Sequence, residues 1–236
     1  MSTFVLVHGA WHGSWCWQRV TPLLRALGHS VTTPCLTGLG ERAHLLTSDT
    51  DLQTHIADIS NHLIYEDLQD VILVAHSYSG IVATGVLELV PERVRRLVFL
   101  DAFVPFDGEC EFDLLPVERR AMIEGSAQTV GDQVILPPMP VAHWGLEPGP
   151  DADWVASKLT PHPLKSMRQP VSLRHPMNMD VPRTYLYCGN KPKGNAFNLS
   201  ATRAKEAGWD FHVLATGHDV MVIAPDMLVE RLLALP

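Results

Sequence analysis

No apolar run in this chain is long enough to cross a bilayer; the longest, such as Val71–Ala75 and Leu97–Leu100, stop far short of a membrane-spanning helix. No basic excess is present either: 18 basic against 26 acidic residues give a net charge of −8, which argues against a nucleic-acid surface and favours solubility. The four cysteines, Cys16, Cys35, Cys110 and Cys188, show no C-x-x-C spacing and none stands on a strand-to-helix turn. Free thiols in a cytoplasmic protein are therefore expected, and neither a zinc ribbon nor a cysteine nucleophile is. The first residues, Met-Ser-Thr, run straight into an apolar strand without a basic leader, so no signal peptide is expected. Lys191 and Lys193 with their glycines lack the G-x-x-x-x-G-K pattern of a phosphate loop. His55 and His62 are seven apart on one expected helix, with nothing nearby to complete a metal site. Metal and organic cofactor are both expected to be absent. At 236 residues, 46% hydrophobic and 19% charged, the chain suits one soluble globular domain with a large core.

What is present is a rhythm of apolar strands and amphipathic helices. Thr3–Val7 reads as a strand leading into the loop His8-Gly9-Ala10-Trp11, and a helical pattern runs from Trp17 to Leu27 with Gly28 as its stop. Ser30–Thr33 is a short second strand. Asp51–Leu63 puts Leu52, Ile56, Ile59 and Leu63 on one helical face, with a capping box over Ser48–Asp51. The third strand is the run from Val71, and Arg96–Asp101 is the fourth. The rhythm breaks from Ala102 to Pro182, a proline-rich stretch expected to form a mostly helical cap with a short helix over Asp151–Leu159. Strands resume at Arg183–Cys188 and Phe211–Leu214, separated by a helix over Leu199–Ala207, and Asp226–Leu235 closes the chain as a helix. Continuous apolar strands alternating with helices imply an α/β fold: a mostly parallel six-stranded sheet covered on both faces, with core 1–101 and 183–236 and cap 102–182.

The chemistry-bearing stretch is Val71-Ile72-Leu73-Val74-Ala75-His76-Ser77-Tyr78-Ser79-Gly80. A buried strand meets a turn flanked by the small residues Ala75 and Ser79, and a helix begins at Gly80. That is the steric logic of a nucleophile elbow, which lifts the Ser77 hydroxyl above the sheet. A serine needs a base, and in this architecture the base comes from the loop after the last strand. His218 is the only one of twelve histidines on such a loop. An oxyanion needs two backbone N–H donors: Tyr78 follows the nucleophile, and Ala10 follows Gly9 in the loop after the first strand. The acid is assigned to Asp101, at the C-terminal edge of the fourth strand, where sites of open parallel sheets collect. If Asp101 merely caps a turn, Asn190 or a backbone carbonyl would hold the histidine instead.

These residues resemble the α/β-hydrolase superfamily. Phe4-Val5-Leu6-Val7-His8-Gly9-Ala10-Trp11-His12-Gly13, Val74-Ala75-His76-Ser77 and Gly217-His218 carry the likeness, and it is closer to the branch of plant methyl esterases, plant hydroxynitrile lyases and similar bacterial carboxylesterases. The resemblance implies carboxylic ester hydrolysis through Ser77, His218 and Asp101 and an acyl-enzyme, with Ala10 and Tyr78 as the oxyanion hole. A hydroxynitrile lyase, or a non-enzymatic ligand-binding member of the fold, is the alternative. Lyases of this type place threonine where Gly9 stands and lysine after the catalytic histidine, where Asp219 stands here. Both departures favour the esterase. The substrate expected is a small to medium hydrophobic or aromatic ester, bound against Trp11 and Trp144, with Met122, Met139 and Leu164 as further candidate walls. Neither nucleic acid nor membrane is an expected partner, a homodimer is compatible with the sequence, and the expected location is cytoplasmic.

Overall fold

The computed structural model describes residues 1–174, 180–191 and 195–235. β1 (Thr3–Val7), β2 (Ser30–Thr32), β3 (Val71–His76) and β4 (Val94–Leu100) form the first part of a sheet that β8 (Arg183–Cys188) and β9 (Asp210–Leu214) complete. Its order is β2-β1-β3-β4-β8-β9, and every neighbouring pair is parallel. Alternate residues feed two cores, as the two-residue period of a strand requires. Val71, Leu73 and Ala75 of β3 face one core, whereas Ile72 and Val74 face the other. β1 and β4 divide in the same way, with Val5, Val7, Leu97 and Phe99 on the first side and Phe4, Leu6, Val98 and Leu100 on the second.

The helices of the core are α1 (Val20–Ala26), α2 (Leu52–Tyr65), α3 (Ser79–Leu89), α7 (Asn198–Glu206), α8 (Val220–Ile223) and α9 (Pro225–Leu233). α2 buries Leu52, Ile56, Ile59 and Leu63, the stripe its spacing predicts. Its capping box lies three residues later than expected: the Asp51 carboxylate accepts from the Thr54 N–H while the Thr54 hydroxyl takes the Asp51 N–H. Asp51 wins over Ser48 because it directly precedes the apolar stripe. The pattern from Trp17 is also split, into a 3-10 turn at Ser14–Trp17 and the shorter α1.

Between β4 and β8 the chain forms α4 (Val117–Gly125), α5 (Pro150–Lys158) and α6 (Leu164–Arg168), as expected of a helical cap. It also forms a small antiparallel sheet of β5 (Gln128–Val130), β6 (Gln133–Leu136) and β7 (His162–Pro163), which the sequence pattern did not announce. β5 is exposed throughout, so it has no apolar alternation to be recognised by. Gly131, at φ +64, makes the turn between β5 and β6.

Sheet order explains where a site can form. From β1 the chain moves outward to β2, then returns to the other side of β1 as β3. Beyond the carboxyl ends of β1 and β3 the two connections part, leaving the crevice in which ligands of open parallel sheets bind.

One buried carboxyl in the cap is unlike the rest. Glu111 is 4% exposed, its Oε2 has no hydrogen-bond partner among the described residues, and burial pushes it up to about 8, with only Arg119 pulling the other way. Its folded form keeps a proton that its unfolded form loses near the ordinary carboxylate value, so its contribution to stability falls as pH rises from about 4.5 to about 8. Glu111→Gln should therefore gain melting temperature over the parent between those limits, by about 2–4 °C for each kcal/mol recovered. Melting curves at pH 4.5, 6 and 8 check this; a difference between the two proteins that is independent of pH would contradict it.

Candidate active site

Three strands end at the same edge in backbone conformations that only a few per cent of non-glycine residues adopt. Trp11 after β1 has φ +62, Ser77 after β3 has φ +58, and Asp101 after β4 has φ +46. Such strain persists only where surrounding structure enforces it, and it gathers at functional sites.

The Ser77 turn is held on all sides. Its N–H donates to the Leu100 carbonyl at 3.2 Å, and its carbonyl accepts from the N–H groups of Gly80 and Phe103, both at 3.1 Å. A Cβ on Gly80 would stand 2.2 Å from the Phe103 carbonyl oxygen, which explains glycine there. Ser79 occupies a position that usually demands glycine, and its hydroxyl donates a short hydrogen bond to the His8 carbonyl. The serine thus ties the elbow to the loop after β1. On that loop, Gly9 is equally constrained: a Cβ would lie 2.8 Å from the Ser77 Cβ. Among the described residues no acceptor takes the backbone N–H of Ala10 or of Tyr78, so both remain free to donate to a ligand. Tyr78 itself is fixed from below, its hydroxyl 2.8 Å from His55 Nδ1.

Asp101 continues the β4–β8 ladder by one step, its N–H donating to the Leu186 carbonyl at 2.7 Å. That step carries its carboxylate across β8. Oδ2 lies 2.6 Å from His218 Nδ1, and Oδ1 accepts from the Cys188 N–H at 3.2 Å and from Lys191 Nζ. Asp101 is fully buried and His218 is 3% exposed. With Nδ1 committed to the carboxylate, Nε2 is the ring nitrogen left to act as a base. Asn190 does not take this place; its N–H pairs with the Thr216 carbonyl. The structure therefore brings together Asp101 and His218, and sets Ser77 on the neighbouring strand end. It contains no hydrogen bond between the Ser77 hydroxyl and His218; in resting hydrolytic sites that bond commonly tightens only when substrate binds.

Around this group lies a second layer of histidines. His76, the residue before the serine, packs its ring 4.4 Å from that of His218 and bonds the His218 carbonyl through Nε2 at 3.1 Å. Burial holds it well below the ordinary histidine range, so it is neutral. His12 bonds the Ala10 carbonyl at 2.8 Å and also pairs with Asp219 at 3.1 Å. Burial draws His12 down, but the Asp219 carboxylate more than offsets this, and the net direction is up. His55 and His62 are engaged separately, His55 with Tyr78 and Thr37, His62 with Thr32.

Trp11 and Trp144 meet with ring centroids 6.0 Å apart, and Trp11 Nε1 donates to the Leu136 carbonyl at 3.1 Å. A cleft of about 520 Å³ opens beside Trp144, lined by Trp144, His218, Phe197 and Lys191, with Arg119 and Met122 from the cap; Trp11 packs behind Trp144 and is not among the residues that line it. Leu164 lines a different hollow, near Thr47 and Lys165, and Met139 packs against the core. Sequence reasoning missed Lys191 altogether as a site residue. Its position, three residues beyond a sheet strand at the active edge, was the available signal. Lys193 lies outside the described residues.

Residues 4–231 match the model of the alpha/beta hydrolase family. Over 244 aligned residues, the whole length of both chains, the protein is 37% identical to "Carbendazim hydrolyzing esterase" of Nocardioides sp. (strain SG-4G). It is 39% identical to "Methyl jasmonate esterase 1" of Vitis vinifera over 105 residues, covering 43% of this chain and 40% of that one. Among solved structures, an extracellular alpha/beta-hydrolase from a Paenibacillus species, described as sharing structural and functional homology with tobacco salicylic acid binding protein 2, superposes with a TM-score of 0.84. It is 26% identical, with 99% of this chain and 98% of that chain covered.

The close approach at Gly9 gives a direct test of the site's architecture. Gly9→Ala should lower kcat/KM for an ester at least tenfold while the far-UV circular dichroism is unchanged, because the new methyl displaces the serine or the amide of Ala10. Wild-type turnover in a folded Gly9→Ala protein would show that this loop does not position the reaction.

Proposed function

The chain belongs to the alpha/beta hydrolase family, and from that premise we propose that it is a serine-type carboxylic ester hydrolase whose catalytic groups are Ser77, His218 and Asp101. The observation that carries the reading is the buried Asp101–His218 contact of 2.6 Å beside a serine held at φ +58.

The chemistry follows from the groups present. Ser77 Oγ attacks the ester carbonyl as His218 Nε2 takes its proton. Asp101 fixes the tautomer that leaves Nε2 free and offsets the imidazolium charge as it forms. The Ala10 and Tyr78 amides, both without a protein acceptor, receive the oxyanion. Collapse expels the alcohol, which takes the proton from His218, and leaves an acyl group on Ser77. Water, deprotonated by the same imidazole, releases the acid. No step calls for a metal or a cofactor.

The substrate is proposed to be a small to medium hydrophobic or aromatic ester. The apolar walls Trp144, Phe197 and Met122 and the size of the cleft support this, as does the name of the Nocardioides relative, which makes carbendazim a sensible member of any screen. Lyase chemistry is disfavoured by two contacts. A threonine in place of Gly9 would press its Cβ to 2.8 Å from the serine, and Asp219 is paired with His12 where a lyase places a lysine. Among the described residues no helix is long and apolar enough to cross a membrane. The proposed cytoplasmic location is supported by four unpaired, buried cysteines. A homodimer is proposed as the assembly to test by light scattering.

Ser77→Ala should reduce p-nitrophenyl ester turnover to background, and a fluorophosphonate should label the parent protein at Ser77 alone. Asp101→Asn should cost roughly 10²–10⁴-fold in kcat, since an amide favours the wrong imidazole tautomer. Unchanged hydrolysis in Ser77→Ala would refute the proposed function, and unchanged hydrolysis in Asp101→Asn would point to a different acid.

A further inference from the structure

Resting on that assignment of the triad, we infer that Lys191 is a positioning residue that shares the Asp101 carboxylate with His218 and sets the lower pH limit of catalysis. The geometry is a chain of three groups. Lys191 Nζ pairs with Asp101 Oδ1, and Asp101 Oδ2 meets His218 Nδ1 at 2.6 Å. The lysine is also wedged against aromatic faces, its Nζ 4.2 Å from the centre of the Tyr187 ring and 4.8 Å from that of Phe197. Phe197 in turn stacks on His218, centroids 4.6 Å apart and planes 16° from parallel. One aromatic ring thus separates the ammonium from the imidazole, and one carboxylate joins them.

This arrangement is not a surface ion pair. The Lys191 side chain is 6% exposed and the Asp101 side chain fully buried. Two charges withdrawn from water in this way interact strongly, and removing one leaves the other uncompensated. The backbone is set for it as well: the Asn190 N–H donates to Thr216 and the Lys191 N–H to Gly189, both at 3.0 Å.

The consequence is a matter of charge. With the imidazole neutral, Asp101 and Lys191 sum to zero. Protonating His218 makes the group of three +1, whereas without the lysine the same proton would complete a neutral Asp–His pair. Lys191 therefore opposes a proton on the resting base and keeps it available at lower pH. It also holds Asp101 from the far side, so that the carboxylate cannot swing away from Nδ1.

The other groups facing His218 do not duplicate this role. His76 on β3 is neutral, Phe197 is apolar, and the Cys188 thiol, which burial pushes well above its usual range, lies 4.0 Å from the His218 carbonyl. Asp219, next in the chain, pairs its Oδ2 with His12 but brings a carboxylate oxygen within 4.8 Å of a His218 ring nitrogen, and Glu118, Arg119 and His143 of the cap line the same cleft; all of these stay in place when Lys191 alone is changed.

The test is the pH dependence of kcat/KM for p-nitrophenyl acetate in the parent, Lys191→Met, Lys191→Gln and Lys191→Arg proteins, with Ser77→Ala beside them. Loss of the charge should move the acid limb to higher pH in both neutral variants, while Lys191→Arg stays near the parent. The same displacement should be read without turnover, from the His218 ring resonances of Ser77→Ala and of Ser77→Ala combined with Lys191→Gln. In the unmodified protein the Lys191 Nζ resonance should exchange slowly with water and be lost in Asp101→Asn, a readout that stands even if the neutral variants do not fold. Coincident acid limbs in folded neutral variants, or a fast-exchanging Nζ in the parent, would overturn the role of Lys191. Undiminished hydrolysis by Ser77→Ala would instead overturn the triad on which that role rests.

Discussion

The contact on which the site depends spans two strand ends. Asp101 lies one residue past β4, His218 lies in the loop past β9, and β8 runs between those strands. A parallel sheet has all its carboxyl ends at one edge and so presents both at the rim where Ser77 follows β3. The 2.6 Å hydrogen bond is then held by what surrounds Asp101: its N–H donates to the Leu186 carbonyl, and its Oδ1 accepts from the Cys188 N–H and the Lys191 ammonium. A carboxylate so surrounded has one direction left in which to accept, and that direction is the imidazole.

A similar economy governs the other half of the site. The serine turn requires a strained residue and extremely small neighbours, and here the neighbours are not all glycine. Ser79 fits because its hydroxyl has a partner on the adjoining loop, the His8 carbonyl, so a side chain that would crowd the turn becomes a tie between its two walls. His8 is itself held neutral by burial, pushed down to about 4, and accepts the Leu36 N–H at 3.1 Å. The loop that carries Gly9 and Ala10 is therefore fixed at both faces.

Much of this was legible in the residues. β3 is a run of six buried residues with a small-residue turn behind it, and among the described residues no other strand has that form. Strand β1 was equally clear, because a buried parallel strand is a continuous apolar run, whereas β9, an edge strand with only Leu214 buried, showed itself only through the short run from Phe211 to Leu214. The small sheet of the cap was hidden for the opposite reason: β5 is exposed and β7 is two residues long, so neither carries a periodic signal. Asp101 could be placed by position, but its partners could not. Lys191 follows β8 as Asp101 follows β4, and nothing local to either distinguishes an ion pair across the sheet from two separate surface charges. The His12–Asp219 pair, 207 residues apart in the chain, was beyond local pattern in the same way.

The central claim is a meeting of Ser77, His218 and Asp101 at one rim, and a crystal structure of the protein after reaction with a phosphonate ester tests it most directly. The account predicts phosphorus bonded to Ser77 Oγ, its free oxygen within hydrogen-bonding distance of the Ala10 and Tyr78 amides, and His218 Nε2 directed at the serine with Nδ1 still on Asp101. Phosphorus on another residue, or an adduct at Ser77 with His218 turned away and Asp101 bound only to Lys191, would contradict it.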